Sequence, residues 1–297
     1  MTGSPLVYAH RGSSAALPEH TLAAYLRALA EGADGLECDV RLTRDGHLVC
    51  VHDSRLNRTS NGRGRVSART LAELSALDFG SWHPGPPEVG PTKGAGPTKG
   101  AGPTNGGGPT NGGGGPTNGT GPTNGTGPDP DRLRLLTLDR LLAAVREADR
   151  KVPLLIETKH PTRYGSLVER RLVDLLRRHG LADPRPGDPV RVTVMSFSPL
   201  ALRQVRALAP GLPTVQLLDL LPPAVRLGRM PFGSRIAGPS VGLVRARPAL
   251  VPALRAAGNR VYVWTVNEPA DVDMVRRYGV DGIITDRPRE VLDRLGR

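Results

Sequence analysis

The sequence predicts an α/β chain folded as a (β/α)8 TIM barrel, and three observations carry that prediction. Eight short apolar, strand-like runs recur along the chain, each followed by a helix-like pattern or a polar loop. Setting aside a low-complexity stretch at 84–130 leaves about 250 of the 297 residues, the usual size of such a barrel. Residues that carry chemistry gather where the strands stop, and that edge is the functional face of a barrel. A doubly wound open sheet competes, but no Gly-rich dinucleotide fingerprint follows the first strand.

The first strand, 6–9, ends directly in His10-Arg11-Gly12. A helix follows, with Leu22, Tyr25, Leu26 and Leu29 at helical spacing and Gly32 as its stop. The second strand, 35–40, contains Glu37 and Asp39 two residues apart. A strand period of two sends both carboxylates to one face, where they repel each other and are costly to bury unpaired. A cation between them removes both penalties, and hard oxygen ligands at this spacing suit a divalent metal. Asp45-Gly46 makes a turn, and a returning strand at 47–51 brings His52 and Asp53 back toward the same end.

After a Gly- and Arg-rich loop at 57–65, a short helix at 70–77 is expected, with Thr70 as cap and Glu73 three residues on. From about 84 to 130 the chain is almost entirely Gly, Pro, Thr and Asn in repeats such as Gly-Pro-Thr-Asn-Gly-Gly. Such a composition buries no apolar face and is expensive to order, so a disordered loop is expected. Regular structure resumes with helix 137–149 and strand 153–159, which turns polar at Glu157 and Lys159. Helix 166–179, strand 192–196, helix 199–208, strand 214–218, a weak strand at 235–237 and helix 248–257 continue the alternation. Strand 261–265, helix 269–278, strand 282–285 and a helix at 289–295 close it.

Composition bounds the function. Hydrophobic residues make up 38% of the chain, no deficit for a large core. No apolar run reaches the roughly 18 residues of a membrane span, and the start lacks the pattern of a signal peptide, so a soluble cytoplasmic protein is expected. Cys38 and Cys50 cannot build a disulfide framework and read as buried free thiols. Forty basic against 28 acidic residues give a net charge of +12, which draws anions. The arginines are scattered, however, and aromatics are only 3%, so no nucleic-acid surface is expected.

At the strand ends the barrel therefore brings together three acids, Glu37, Asp39 and Glu157; two cations, Arg11 and Lys159; and two histidines, His10 and His52. Ser196-Phe197 and Trp264 with Asn267 lie at the same edge. Each alone has an ordinary explanation, such as an internal Glu157–Lys159 ion pair, but so many on one face point to a site.

With these pieces in place the chain resembles the glycerophosphodiester phosphodiesterase family. The likeness rests on His10-Arg11-Gly12, Pro18-Glu19 with Thr21, Gly32-Ala33-Asp34 through Asp39-Val40, Leu42-Thr43-Arg44-Asp45-Gly46, His52-Asp53, Leu56 with Arg58-Thr59, Glu157 with Lys159, Ser196-Phe197, Trp264-Thr265-Val266-Asn267, and Gly279-Val280-Asp281-Gly282 to Thr285-Asp286. It implies one domain over 1–297 with a small insertion after the second strand, at 54–136, that here holds the repeats. His20 stands where the family usually has Asn after Pro-Glu, which puts a positioning role for this residue in doubt.

The resemblance implies metal-dependent hydrolysis of glycerophosphodiesters to sn-glycerol 3-phosphate and an alcohol. Glu37, Asp39 and Glu157 would hold one Mg²⁺ or Ca²⁺; Arg11 and Lys159 would take the phosphate oxygens. His10 and His52 would be the acid and base, with His52 favoured as the acid. Trp264 is open between lining the substrate pocket and packing at the barrel top. The expected partner is the small-molecule substrate, with no stable membrane association. Two alternatives are a lysophospholipase D acting on lipid diesters and a non-catalytic phosphate-binding barrel.

Overall fold

Short runs rich in Val, Leu, Ile and Tyr form nine strands: β1 (Leu6–His10), β2 (Gly35–Leu42), β3 (Leu48–Cys50), β4 (Val152–Thr158), β5 (Val190–Ser196), β6 (Thr214–Leu218), β7 (Ile236–Pro239), β8 (Arg260–Val263) and β9 (Gly282–Thr285). They are seen in a computed structural model that describes residues 4–84, 130–185, 187–188, 190–226 and 228–297. All strands but β3 pair in parallel, and β1 pairs with both β2 and β9, closing an eight-stranded barrel. The barrel expected from the alternation is thus what the chain adopts. β3 runs antiparallel along β2, with Val40 opposite Cys50. The disordered repeat loop expected at 84–130 lies, apart from its two ends, outside the described residues.

Among the described residues eleven α-helices accompany the strands: α1 (Leu22–Ala30), α2 (Leu71–Ser75), α3 (Pro130–Leu133), α4 (Leu138–Arg146), α5 (Leu167–Arg178), α6 (Pro199–Leu208), α7 (Pro223–Arg226), α8 (Val241–Ala246), α9 (Leu250–Ala256), α10 (Pro269–Arg277) and α11 (Pro288–Arg294). Side-chain caps start several of them. The Thr21 hydroxyl accepts from the Ala24 amide at α1, and Thr70 with Glu73 forms the capping box anticipated at α2. In α4 the buried residues are Leu138, Leu141, Leu142 and Val145, the face expected from their spacing. Each such side chain contributes about 1.5–3 kcal/mol on burial. Among the described residues no helix is long and apolar enough to cross a membrane.

The period of two sorts each strand between two layers. Leu36, Cys38 and Val40 of β2 pack outward with Tyr25 of α1 and Leu141 of α4. The barrel interior is filled by Tyr8, Leu155, Met195, Val215, Leu217, Ile236, Tyr262 and Ile284. Glu37 and Asp39 alternate with the outward set and so share the interior side. Their register is set by β4, where Leu155 faces Glu37 and Glu157 faces Asp39. Gly35 starts β2 because a Cβ there would lie 2.5 Å from the Pro153 carbonyl oxygen and 2.7 Å from the Tyr8 ring. After β3 a small core of Val51, Leu56, Val66, Leu74 and Phe79 forms beside the barrel mouth.

Candidate active site

The sequence places Glu37 and Asp39 on one face of β2, and the register with β4 adds Glu157. One oxygen from each of the three comes within 4.8 Å of the others. All three are buried, at 1%, 1% and 7% exposure. Asp39 is the hub. Its Oδ2 lies 3.0 Å from Arg11 Nε and 3.0 Å from His20 Nε2, and its Oδ1 lies 3.3 Å from Lys159 Nζ. Lys159 Nζ also reaches Glu157 at 2.8 Å, and Glu37 accepts from the Arg11 backbone amide at 3.1 Å. Burial alone would raise the Asp39 carboxyl, but Arg11, the His20 hydrogen bond and Lys159 hold it well below the usual range. Glu157 has less compensation, and burial followed by the Asp39 charge pushes it up to about 8. The same two causes drive Glu37 well above its ordinary value.

His20 corrects an expectation. The departure from Asn raised doubt about its role, yet the ring is 4% exposed and bridges Asp39 and the Tyr25 hydroxyl, 2.8 Å from Nδ1. Burial lowers its pKa, so the ring is neutral near pH 7. A carboxylate only accepts, which assigns the proton to Nε2, and the Tyr25 hydroxyl divides its one proton between Nδ1 and the Glu37 carbonyl at 3.1 Å. His20 therefore positions Asp39.

His10 ends β1, and its Nδ1 lies 2.7 Å from Asp286 Oδ1, just past β9. Asp286 also accepts from the Ser14 hydroxyl and from Asn267 Nδ2. Burial opposes its ionisation, but the hydrogen bond and charge of His10, with Asn267 and Ser14, hold it well below the usual carboxylate range. His52 follows β3 and repeats the arrangement: Nδ1 is 2.7 Å from Asp53 Oδ1. Asp53 is held near 2, burial being outweighed by the hydrogen bonds of Arg58 and His52. Arg58 spans to both oxygens of Glu19, which in turn reaches Arg11 at 3.0 Å. The insertion is thereby tied to the mouth. Each imidazole, when neutral, thus gives Nδ1–H to a carboxylate and carries its lone pair on Nε2. Burial pushes His52 itself down to about 4.

Seven of the eight anticipated site residues, His10, Arg11, Glu37, His52, Glu157, Lys159 and Trp264, line one cavity of about 220 Å³ at this mouth. Asp39, the eighth, pairs with two of them from beneath. Trp264 lines the cavity and is also packed, with Nε1 donating to the Gly238 carbonyl at 2.7 Å and its ring edge-on to Phe197 at 5.4 Å. Asp286, Glu19 and Arg58 were assigned no role from sequence. The one available signal for Asp286 is an acid directly after the last strand, on the edge where barrel chemistry collects.

Residues 10–290 match the Glycerophosphoryl diester phosphodiesterase family. Over 288 residues the chain is 44% identical to the Mycobacterium tuberculosis protein named "Probable glycerophosphodiester phosphodiesterase 1", covering 97% of this chain and 91% of that one. It is 32% identical to a Bacillus subtilis protein named glycerophosphodiester phosphodiesterase, over 95% of this chain and 84% of the other. An Oleispira antarctica phosphodiesterase solved in complex with the product sn-glycerol-3-phosphate shares the fold, with a TM-score of 0.74 at 24% identity over 99% and 98% of the two chains.

Proposed function

The chain belongs to the glycerophosphoryl diester phosphodiesterase family and is a phosphoric diester hydrolase acting on glycerophosphodiesters; from that premise we propose how its residues release sn-glycerol 3-phosphate and an alcohol. The observation that carries the reading is one cavity bordered by two carboxylates, with Asp39 beneath them, and by two cations and two carboxylate-oriented histidines.

Three carboxylate oxygens in reach of one another, with Asp39 Oδ1 met only by the Lys159 ammonium at 3.3 Å, are a hard donor set. They fit a single divalent cation, Mg²⁺ or Ca²⁺, held by Glu37, Asp39 and Glu157. When bound, such an ion supplies positive charge that neutralises phosphate oxygens. Arg11 takes a phosphate oxygen through its planar fork and Lys159 as a point charge. Burial keeps His52 neutral at pH 7, which fits it to remove a proton from the attacking water. His10, with ionised Asp286 behind it, then gives a proton to the departing alkoxide as the P–O bond to the alcohol breaks. This assignment reverses the one favoured from sequence. Trp264 and Phe197 form the wall against the glycerol or alcohol portion.

The test is glycerol 3-phosphate release from glycerophosphocholine, followed by a coupled assay, with chelator and with Mg²⁺, Ca²⁺ or Mn²⁺ restored. Release that stops with chelator and returns with metal is expected; release indifferent to chelator sinks the metal role.

Protons must leave Glu37 and Glu157 when the cation arrives, so apparent metal affinity should climb from pH 6 to pH 8. The sign for stability follows. Glu157 carries a raised pKa in the folded state, so its contribution is complete below its unfolded value and fades as pH rises through about 8. The chelated protein should therefore melt at a lower temperature at pH 8 than at pH 6, with metal narrowing the difference. Titration calorimetry in two buffers of different ionisation enthalpy reads the proton release, and a pH-independent affinity contradicts it.

A second reading has one observation behind it. An apolar groove of about 430 Å³ meets the catalytic cavity at Phe197 and Leu217, and Leu220 on its rim is 81% exposed. Such a groove suits an acyl chain, which would extend the substrate range to lysophospholipids. Choline release from lysophosphatidylcholine, followed by a choline-coupled assay, supports it, and choline release confined to glycerophosphocholine removes it. The cytoplasmic location and the single domain over 1–297, with 54–136 as its insertion, belong to the proposal. The free buried thiols of Cys38 and Cys50 suit a reducing compartment.

A further inference from the structure

We propose that the preferred substrate carries a second phosphate on its alcohol portion, and that this phosphate is bound by Arg41, Arg65 and Arg163 in a cavity beside the catalytic one. The inference rests on the phosphodiesterase reading above and names the substrate class of that site. The cavity, of about 430 Å³, is roughly twice the volume of the catalytic one. Lys159 is their common wall. Arg41 approaches the catalytic group from behind, its Nε donating to the His52 carbonyl at 2.9 Å.

Three separate parts of the chain supply the cations: Arg41 from β2, Arg65 from the insertion and Arg163 from the loop after β4. Among the described residues no Asp or Glu lines the cavity. Among the described residues, ion pairs engage Arg11, Arg58, Arg245, Arg255 and Arg297, yet none engages these three. Guanidiniums that line one cavity without an ion-pair partner repel one another, and a dianion relieves that repulsion while accepting their hydrogen bonds. The walls are braced, because the Tyr164 hydroxyl donates to the Ser67 carbonyl at 2.7 Å and Arg163 stacks on the Tyr164 ring. The hydroxyls of Ser54, Ser67 and Thr162 add neutral donors. A choline or ethanolamine group, being cationic, is repelled from the same place.

The test compares glycerophosphoglycerol with the same diester phosphorylated on its terminal hydroxyl, at fixed metal and low salt. The full-length enzyme should show about tenfold higher kcat/KM for the phosphorylated diester, as expected of charge-assisted contacts discounted for exposure. High salt should shrink the preference. The double variant Arg65→Gln, Arg163→Gln should lose it while turning over glycerophosphoglycerol within about twofold of wild type. Equal kcat/KM for the two diesters in the wild type, or a preference that survives in the double variant, overturns the inference alone. Failure to hydrolyse either diester overturns the phosphodiesterase reading and the inference with it.

Discussion

Asp39→Asn is expected to lower kcat/KM by about 10³-fold or more and to destabilise the fold by about 3 kcal/mol. Both effects follow from one position. Asp39 is 1% exposed and balances Arg11 and Lys159, whose side chains are only 15% and 10% exposed. An amide of the same shape removes that charge and leaves the two buried cations with Glu19 and the largely protonated Glu157 as ion-pair partners among the described residues. It also removes the acceptor that His20 holds in place and one of the three proposed metal ligands. Glu157→Gln is the informative contrast. Its carboxyl, pushed up to about 8, is mostly protonated at pH 7 without metal, so the chelated variant should unfold close to wild type while losing metal affinity. Denaturant melts of chelated protein and calorimetric metal titrations separate the two effects. Activity of Asp39→Asn within tenfold of wild type would falsify the hub role.

The histidines should be the next most sensitive positions. His10→Ala and His52→Ala should each cost about 10²-fold or more in kcat on glycerophosphocholine. Their difference tests the assignment. A substrate with a good leaving group, such as a p-nitrophenyl diester, needs no acid, so it should recover most of the His10→Ala loss and little of the His52→Ala loss. Equal recovery, or recovery only of His52→Ala, reverses the roles. Asp286→Asn leaves the imidazole but weakens its orientation, and partners of this kind are worth on the order of 10- to 100-fold. Near-normal turnover in either alanine variant removes that histidine from the mechanism.

Much of this site was readable along the chain because strand geometry is local. Two acids at i and i+2 in a strand must share a face, and Thr70 with Glu73 must cap a helix wherever that helix lies. The eight-strand alternation worked for the same reason, although the weak run at 235–237 proved to be Ile236–Pro239, and the short helices α3, α7 and α8 carry too little periodicity to announce themselves. His20 was misjudged because its partner Asp39 is nineteen residues away and the link depends on a left-handed backbone at φ 61°. Asp286 lies 276 positions from His10, and only barrel closure between β1 and β9 makes them neighbours.

By itself the sequence determined which residue types stand at strand ends: a carboxylate pair on β2, an acid and a lysine at β4, and a histidine after each of two early strands. That follows from alternation and turn chemistry, which act over a few residues. Tertiary structure alone decided which nitrogen of each imidazole is free, which carboxylates ionise, and that three arginines meet beside Lys159 with no acid among them. Those outcomes depend on burial and on charges brought together across hundreds of residues, and no local period encodes either.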